Sequence, residues 1–139
     1  MRYLLILLAL AGVAVSYLAL RVHYDTGSEP CSINEHWDCG VVNHSPYSMI
    51  GPIPVAALGI AGYLALAVLA FARRRALVVA AALPAMGFAL YLSHVEKDVL
   101  FVWCLYCVIS QCVIALFLLL SLGWLIWHQR SKRRALGSA

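Results

Sequence analysis

Charged side chains are scarce in this sequence: Asp, Glu, Lys and Arg make up 12% of its 139 residues, about half the share of an ordinary soluble domain. Hydrophobic residues make up 64%, and the mean hydropathy is +0.89. A water-soluble core of this size could not hide so much apolar surface, whereas a bilayer could, so the composition excludes a soluble globular protein. Aromatic–basic interleaving and nucleic-acid motifs are missing as well. The formal net charge of +4 therefore does not argue for a nucleic-acid partner. There is no internal repeat and no low-complexity segment, and the length suits one domain.

What is present is long apolar runs. A helix crossing a bilayer needs about 20 apolar residues. Four stretches meet that need, from about Tyr3 to Leu20, Ile53 to Ala72, Ala76 to Val95, and Leu100 to Trp127. The first has a rival reading as a secretory signal peptide with Arg2 as a minimal basic region. Its run "YLLILLALAGVAVSYLAL" is longer than a usual signal core, and no A-x-A site with a polar continuation follows. A retained helix is the better reading.

The charges that exist are segregated. Arg2 precedes the first run, Arg73, Arg74 and Arg75 join the second to the third, and Arg130, Lys132, Arg133 and Arg134 follow the fourth, with no acid among them. Asp25, Glu29, Glu35 and Asp38 lie in the first connection, and Glu96 and Asp98 in the third; Arg21 and Lys97 are the exceptions, each near acids. Basic residues gather in cytoplasmic loops. The expectation is an all-α integral membrane protein. It is a four-transmembrane-helix bundle with both termini cytoplasmic and a long first extracytoplasmic loop over about residues 22–52. Residues 1–128 form the single domain, and residues 129–139 a short, basic, solvated cytoplasmic tail. The short connections at Arg73–Arg75 and "EKD" enforce a compact bundle. Ala57, Ala61 and Ala65, with Gly59 and Gly62 beside them, favour close helix contact, although alanine is common throughout.

No cysteine falls on the expected cytoplasmic side. Cys31 and Cys39 lie in the first outer loop, Cys104 and Cys107 at the outer end of the last run, and Cys112 deeper within it. That face is the oxidising one in a bacterium or at the ER lumen. Cys31 and Cys39 enclose the polar stretch "SINEHWD". They read either as a structural staple or as an exposed, reachable pair that accepts electrons from a soluble partner, since exchange needs an attacking thiolate with access to a sulfur. Cys104 and Cys107, spaced C-x-x-C at a helix start, share a face. Free N–H groups and the helix dipole there favour a thiolate, so this pair reads as redox-active. A zinc site built from these cysteines with His36 or His44 is the chemical rival, but "CSINEHWDC" has the wrong spacing for it. Cys112 reads as a small apolar filler. A dithiol that becomes a disulfide releases two electrons. A lipid-soluble quinone is an acceptor that explains why the pair sits at the mouth of an apolar segment.

The chain resembles the vitamin K epoxide reductase (VKOR) family, in particular its short bacterial homologues. The resemblance rests on "CSINEHWDCG", then "VVNHS" with Ser45, then "GPIPVAALGIAGY" opening the second run and "WCLYC" opening the last. It covers about Val13 to Trp127. Each part alone is weak, and the combination is specific.

The resemblance implies a four-helix bundle around a quinone pocket. In it, Cys31 exchanges with a thioredoxin-fold partner, Cys39 passes electrons to Cys104, and Cys107 faces the quinone. Ser45 matches a family serine or threonine near the quinone carbonyl, where a hydroxyl stabilises developing negative charge. It also suits a helix N-cap ahead of Pro46. Animal members place a tyrosine where this chain has Gln111; Gln111 reaches either a quinone oxygen or a partner within the bundle, and the change puts an epoxide substrate in doubt. Tyr106 reads as an interfacial aromatic. Many bacterial relatives carry a fused thioredoxin-like domain, so here the partner is expected to be a separate periplasmic thiol oxidase.

The expected activity is therefore a disulfide-forming thiol:quinone oxidoreductase of the bacterial inner membrane, with its site on the periplasmic side. It uses ubiquinone or menaquinone and no metal. The alternatives are a quinone or vitamin K epoxide reductase with a different role, and a non-enzymatic scaffold held by structural disulfides. The DsbB-type quinone reductases share four spans and two cysteine pairs. In them C-x-x-C comes first, whereas here it comes last.

Overall fold

The computed structural model describes residues 1–27 and 31–138, so Glu29, counted among the outer acids, lies outside the described residues. The chain is mostly helical. Its elements are α1 (Arg2–Tyr24), a short α2 (Cys39–Asn43), a 3-10 turn (Pro46–Ser48), strands β1 (Met49–Ile50) and β2 (Ile53–Pro54), then α3 (Val55–Phe71), α4 (Arg75–Val95) and α5 (Leu105–Gly137). The strands form a two-stranded antiparallel hairpin, Ile50 opposite Ile53. Gly51 turns it at φ 60°, a left-handed conformation that glycine adopts without a Cβ penalty. This hairpin departs from an all-α fold, and its second strand occupies the expected start of the second span.

Among the described residues, three helices are long and apolar enough to cross a membrane: α1, α4 with the turn that extends it to Leu100, and α5. Helix α3 is apolar but has 17 residues, about 25 Å of rise against a hydrocarbon core of about 30 Å. Pro84 lies inside α4, which neighbouring helices make tolerable in an apolar span.

Two boundaries differ from the sequence reading. The charged "EKD" is not a loop. Helix α4 runs on through a π-helical turn, Glu96–Leu100, before Phe101 ends it at φ 56°. The wider turn carries Glu96 to the inside, 2% exposed, while Lys97 and Asp98 stay outside. The basic tail is helical, because α5 continues to Gly137.

Helix α1 packs against α3 and α5, and α4 packs against α5. Leu5, Ala9, Tyr63, Leu66, Val78, Ile114 and Phe117 form the buried centre. At the end carrying the basic residues, the Arg75 guanidinium lies 4.7 Å from the centroid of the Trp124 ring, a cation–π contact. Close approach of α1 to α3 depends on glycine. Gly12 faces the Tyr63 ring, and a Cβ on Gly59 would stand 2.7 Å from Ser16 Oγ. Gly62 has open space beside it, so the small-residue stripe is only in part a packing device. Tyr63 cannot yield easily, because its hydroxyl donates to the Ser110 carbonyl at 2.8 Å. Gly12→Val is expected to destabilise the bundle by about 1–3 kcal/mol through overpacking. A lowered thermal midpoint in detergent would record this, and Gly87→Ala, which meets nothing within 4 Å, should lose no stability.

Candidate active site

The outer end of the bundle is closed by the first loop, and backbone pairing holds it there. Trp103 N–H donates to the His36 carbonyl at 2.7 Å, and Asp38 N–H donates to the Trp103 carbonyl at 3.0 Å. These two bonds make a parallel bridge between Trp37 and Trp103. The step from Trp37 to Cys39 and that from Trp103 to Cys104 are thereby laid side by side. Asp38 then starts α2: its Oδ1 accepts from Gly40 N–H at 2.9 Å and Val41 N–H at 3.2 Å, the usual work of an N-cap aspartate. The same oxygen accepts from Ser32 Oγ at 2.9 Å, which ties the beginning of the loop to its end.

Cys31 and Cys39 form a disulfide with Cα atoms 5.7 Å apart. Cys104, Cys107 and Cys112 are free thiols. Cys31, Cys39 and Cys104 are buried together with Val22 and Val42, and Cys107 packs against this group. The polar composition of the loop suggested a reachable disulfide. Instead Cys31 is 2% exposed and Cys39 fully buried, because the docked loop turns its cysteines down onto the bundle and its charged residues up. Cys112 sits apart from the cluster and is exposed on the outside of α5.

Cys104 is the N-cap of α5, and its sulfur accepts from the Cys107 backbone N–H at 3.4 Å. It stands just ahead of the spanning helix. The hydrogen bond from the Cys107 side chain, opposed by burial and helped by the backbone bond and Asn43, holds its thiol below the usual value. A thiol at a helix N-terminus is suited to ionise for the same reason.

Two residues missed in the sequence complete this arrangement. Asn43, 6% exposed, donates through Nδ2 to the Cys39 carbonyl at 2.9 Å and to Cys104 Sγ at 3.6 Å. One amide thus spans the two cysteine pairs. Its own carbonyl is bonded to His23 Nδ1 of α1 at 2.5 Å. Glu96 accepts the Cys104 backbone N–H on Oε2 at 3.1 Å, and it lines the same cavity as Cys107.

Beneath the cysteines lies a cavity of about 340 Å³, between α1, α3, α4 and the start of α5. Its walls are mostly aliphatic, with Asn43, Ser45, Tyr63, Glu96 and Cys107 among the groups that bring chemistry to them. A largely apolar cavity with few convergent polar groups is the usual form of a small-molecule site. Cys107 lines it and Cys104 does not. Ser45 stands at the N-cap of the 3-10 turn with Pro46 after it, but its side chain makes no cap bond. Its hydroxyl donates back to the Val42 carbonyl at 2.7 Å. Gln111 does not line the cavity. It accepts a hydrogen bond from Ser93 of α4, a residue that does line the cavity. Among the described residues, no group of three or more His, Cys, Asp or Glu is placed to hold a metal ion.

A disulfide stacked on a free C-x-x-C, itself on the wall of an apolar cavity among membrane-length helices, defines a membrane oxidoreductase that works through thiols. The family model described as the vitamin K epoxide reductase family matches residues 3–122, and the chain belongs to that family. Among curated proteins, none matches the chain. Membership makes the chain a thiol-dependent oxidoreductase of the kind that acts on quinones or their epoxides.

Proposed function

We propose that the protein is a thiol:quinone oxidoreductase of the bacterial inner membrane that sustains disulfide formation outside the cytoplasm. It is a single four-span domain over residues 1–128, with both termini in the cytoplasm and the cysteines on the periplasmic side. A separate thioredoxin-fold thiol oxidase gives up its electrons to the Cys31–Cys39 disulfide. Cys39 then exchanges with the C-x-x-C pair, and Cys104 and Cys107 become a disulfide as ubiquinone or menaquinone in the cavity becomes a hydroquinone. Two thiols lose two electrons and two protons, and the quinone gains both.

The observation that carries this reading is the order of the sulfurs: buried disulfide, buried Cys104 beside it, then Cys107 on the cavity wall. Asn43, bonded to both pairs, supports transfer between them. The cavity supports a flat apolar acceptor. Ser45 is assigned the quinone carbonyl, which its hydroxyl meets by turning away from Val42. Gln111 acts there only through Ser93. The orientation is supported by the basic residues at Arg73–Arg75 and beyond Trp127, at the end of the bundle away from the cysteines. A purely structural role for the cysteines is disfavoured by two free thiols directly beneath a disulfide.

Purified protein in detergent, supplied with dithiothreitol and a short-tailed quinone, is expected to bleach the quinone absorbance catalytically. Absence of turnover with both ubiquinone and menaquinone analogues, from folded protein, would overturn the assignment.

A further inference from the structure

A carboxylate within an apolar bundle is costly unless it is compensated, and such groups mark function. Glu96 is 2% exposed. Among the described residues no cation pairs with it; the one side-chain ion pair, between His94 and Asp98 at 2.8 Å, lies outside on the same turn with both partners half exposed or more. Its hydrogen-bond partner is the Cys104 N–H, and it lines the cavity together with Cys107. A helix cap alone would not require a charge there, since an amide oxygen accepts an N–H equally well.

We propose that Glu96 is a catalytic residue, the base that takes the proton from Cys107 and hands it to the quinone oxygen. The inference rests on the thiol:quinone reading. In the step, the S–S bond between Cys104 and Cys107 forms as their two electrons pass to the quinone; the Cys107 proton reaches one hydroquinone oxygen through Glu96, and the other oxygen takes from solvent the proton that Cys104 released on ionising. Cys104 ionises readily at its helix cap. Cys107 is the thiol on the cavity wall whose proton has to leave, and Glu96 is the carboxylate that lines that cavity with it. Delivery inside the cavity keeps the proton from having to reach water across the docked loop. The other titratable groups on the surrounding elements are Cys104 and Tyr106 at the start of α5, Tyr63 on α3, Tyr47 on the 3-10 turn, His23 on α1 and His44 on α2. On the turn of Glu96 itself, His94, Lys97 and Asp98 are exposed.

The test is Glu96→Gln in the full chain, assayed in detergent with dithiothreitol and a short-tailed quinone from about pH 6 to pH 9. Glutamine keeps the acceptor for Cys104 N–H and the volume, and removes the base. We expect kcat to fall about 10²-fold near neutrality, with the deficit shrinking as pH rises and solvent deprotonates Cys107. Wild-type rates, or a loss equal at every pH, would overturn the role while leaving quinone reduction by the wild type intact. No turnover in the wild type would overturn the parent reading and this one together. Should the variant fail to fold, the wild type carries the test. Its time-resolved infrared difference spectrum is expected to contain the deuterium-sensitive band of a buried carboxylic acid, which rises and then decays as quinone is consumed. Absence of that band would overturn the role.

Discussion

Replacing Cys104 or Cys107 by alanine is expected to bring quinone reduction to its uncatalysed background with every reductant, a loss of roughly four orders of magnitude or more. Neither sulfur has a substitute. Cys107 is the thiol on the cavity wall, and Cys104 is fully buried between it and the loop disulfide. Cys112 stands apart and cannot stand in. The variants should differ in what they trap. With Cys107→Ala, the Cys104 thiolate can still attack the loop disulfide and stop there, so non-reducing peptide mapping should find Cys104 joined to a loop cysteine. With Cys104→Ala, no such link is expected. Cys104→Ala also removes the cap of α5, worth about 1 kcal/mol, so its thermal midpoint should drop slightly and its fold persist. Full activity in either variant would sink the relay.

These expectations could be framed from sequence because the properties behind them are local. Membrane-length helices follow from summed hydropathy over consecutive residues, and the pairing of Cys104 with Cys107 follows from a spacing of three on one helix. Asn43 and Glu96 were illegible for the opposite reason. Their importance comes from burial, and burial depends on the loop at Trp37 docking on Trp103, which lies far along the chain. Glu96 was also hidden by its neighbours: three charges in a row look like a loop, whereas the chain continues as a wide helical turn with one of them inward. A signal was present, in that Glu96 follows directly on an apolar run and precedes the reactive pair. The buried disulfide was misjudged because polar loop residues cover it from above. Gln111, four residues past Cys107, is rotated from it by about 40°, which places its amide against Ser93.

The loop disulfide is where the second large effect is expected. Cys39→Ala should abolish turnover driven by a thioredoxin-fold protein, by about 10³-fold or more, and leave turnover driven by dithiothreitol within about threefold of the wild type. The split follows from size and burial. Cys107 is only partly covered and opens on the cavity, so a small dithiol can reach the C-x-x-C directly. A folded partner cannot enter a cavity of about 340 Å³, and Cys104 is closed to it. Its electrons must come through the loop, and with Cys39 gone no sulfur is left beside Cys104 to deliver them. Cys31, at 2% exposure, adds a condition: the partner has to lift the loop to attack it. The bonds resisting this are the Trp37–Trp103 bridge and the Ser32 bond to Asp38. Ser32→Ala should therefore speed attack by the partner when docking limits the rate, without altering the dithiothreitol rate. Comparing kcat/KM for the two reductants across wild type, Cys39→Ala and Ser32→Ala checks the scheme. An equal loss with both reductants in Cys39→Ala would mean that the loop cysteines support the fold and carry no electrons. Undiminished partner-driven turnover would mean that the partner reaches the C-x-x-C by another route.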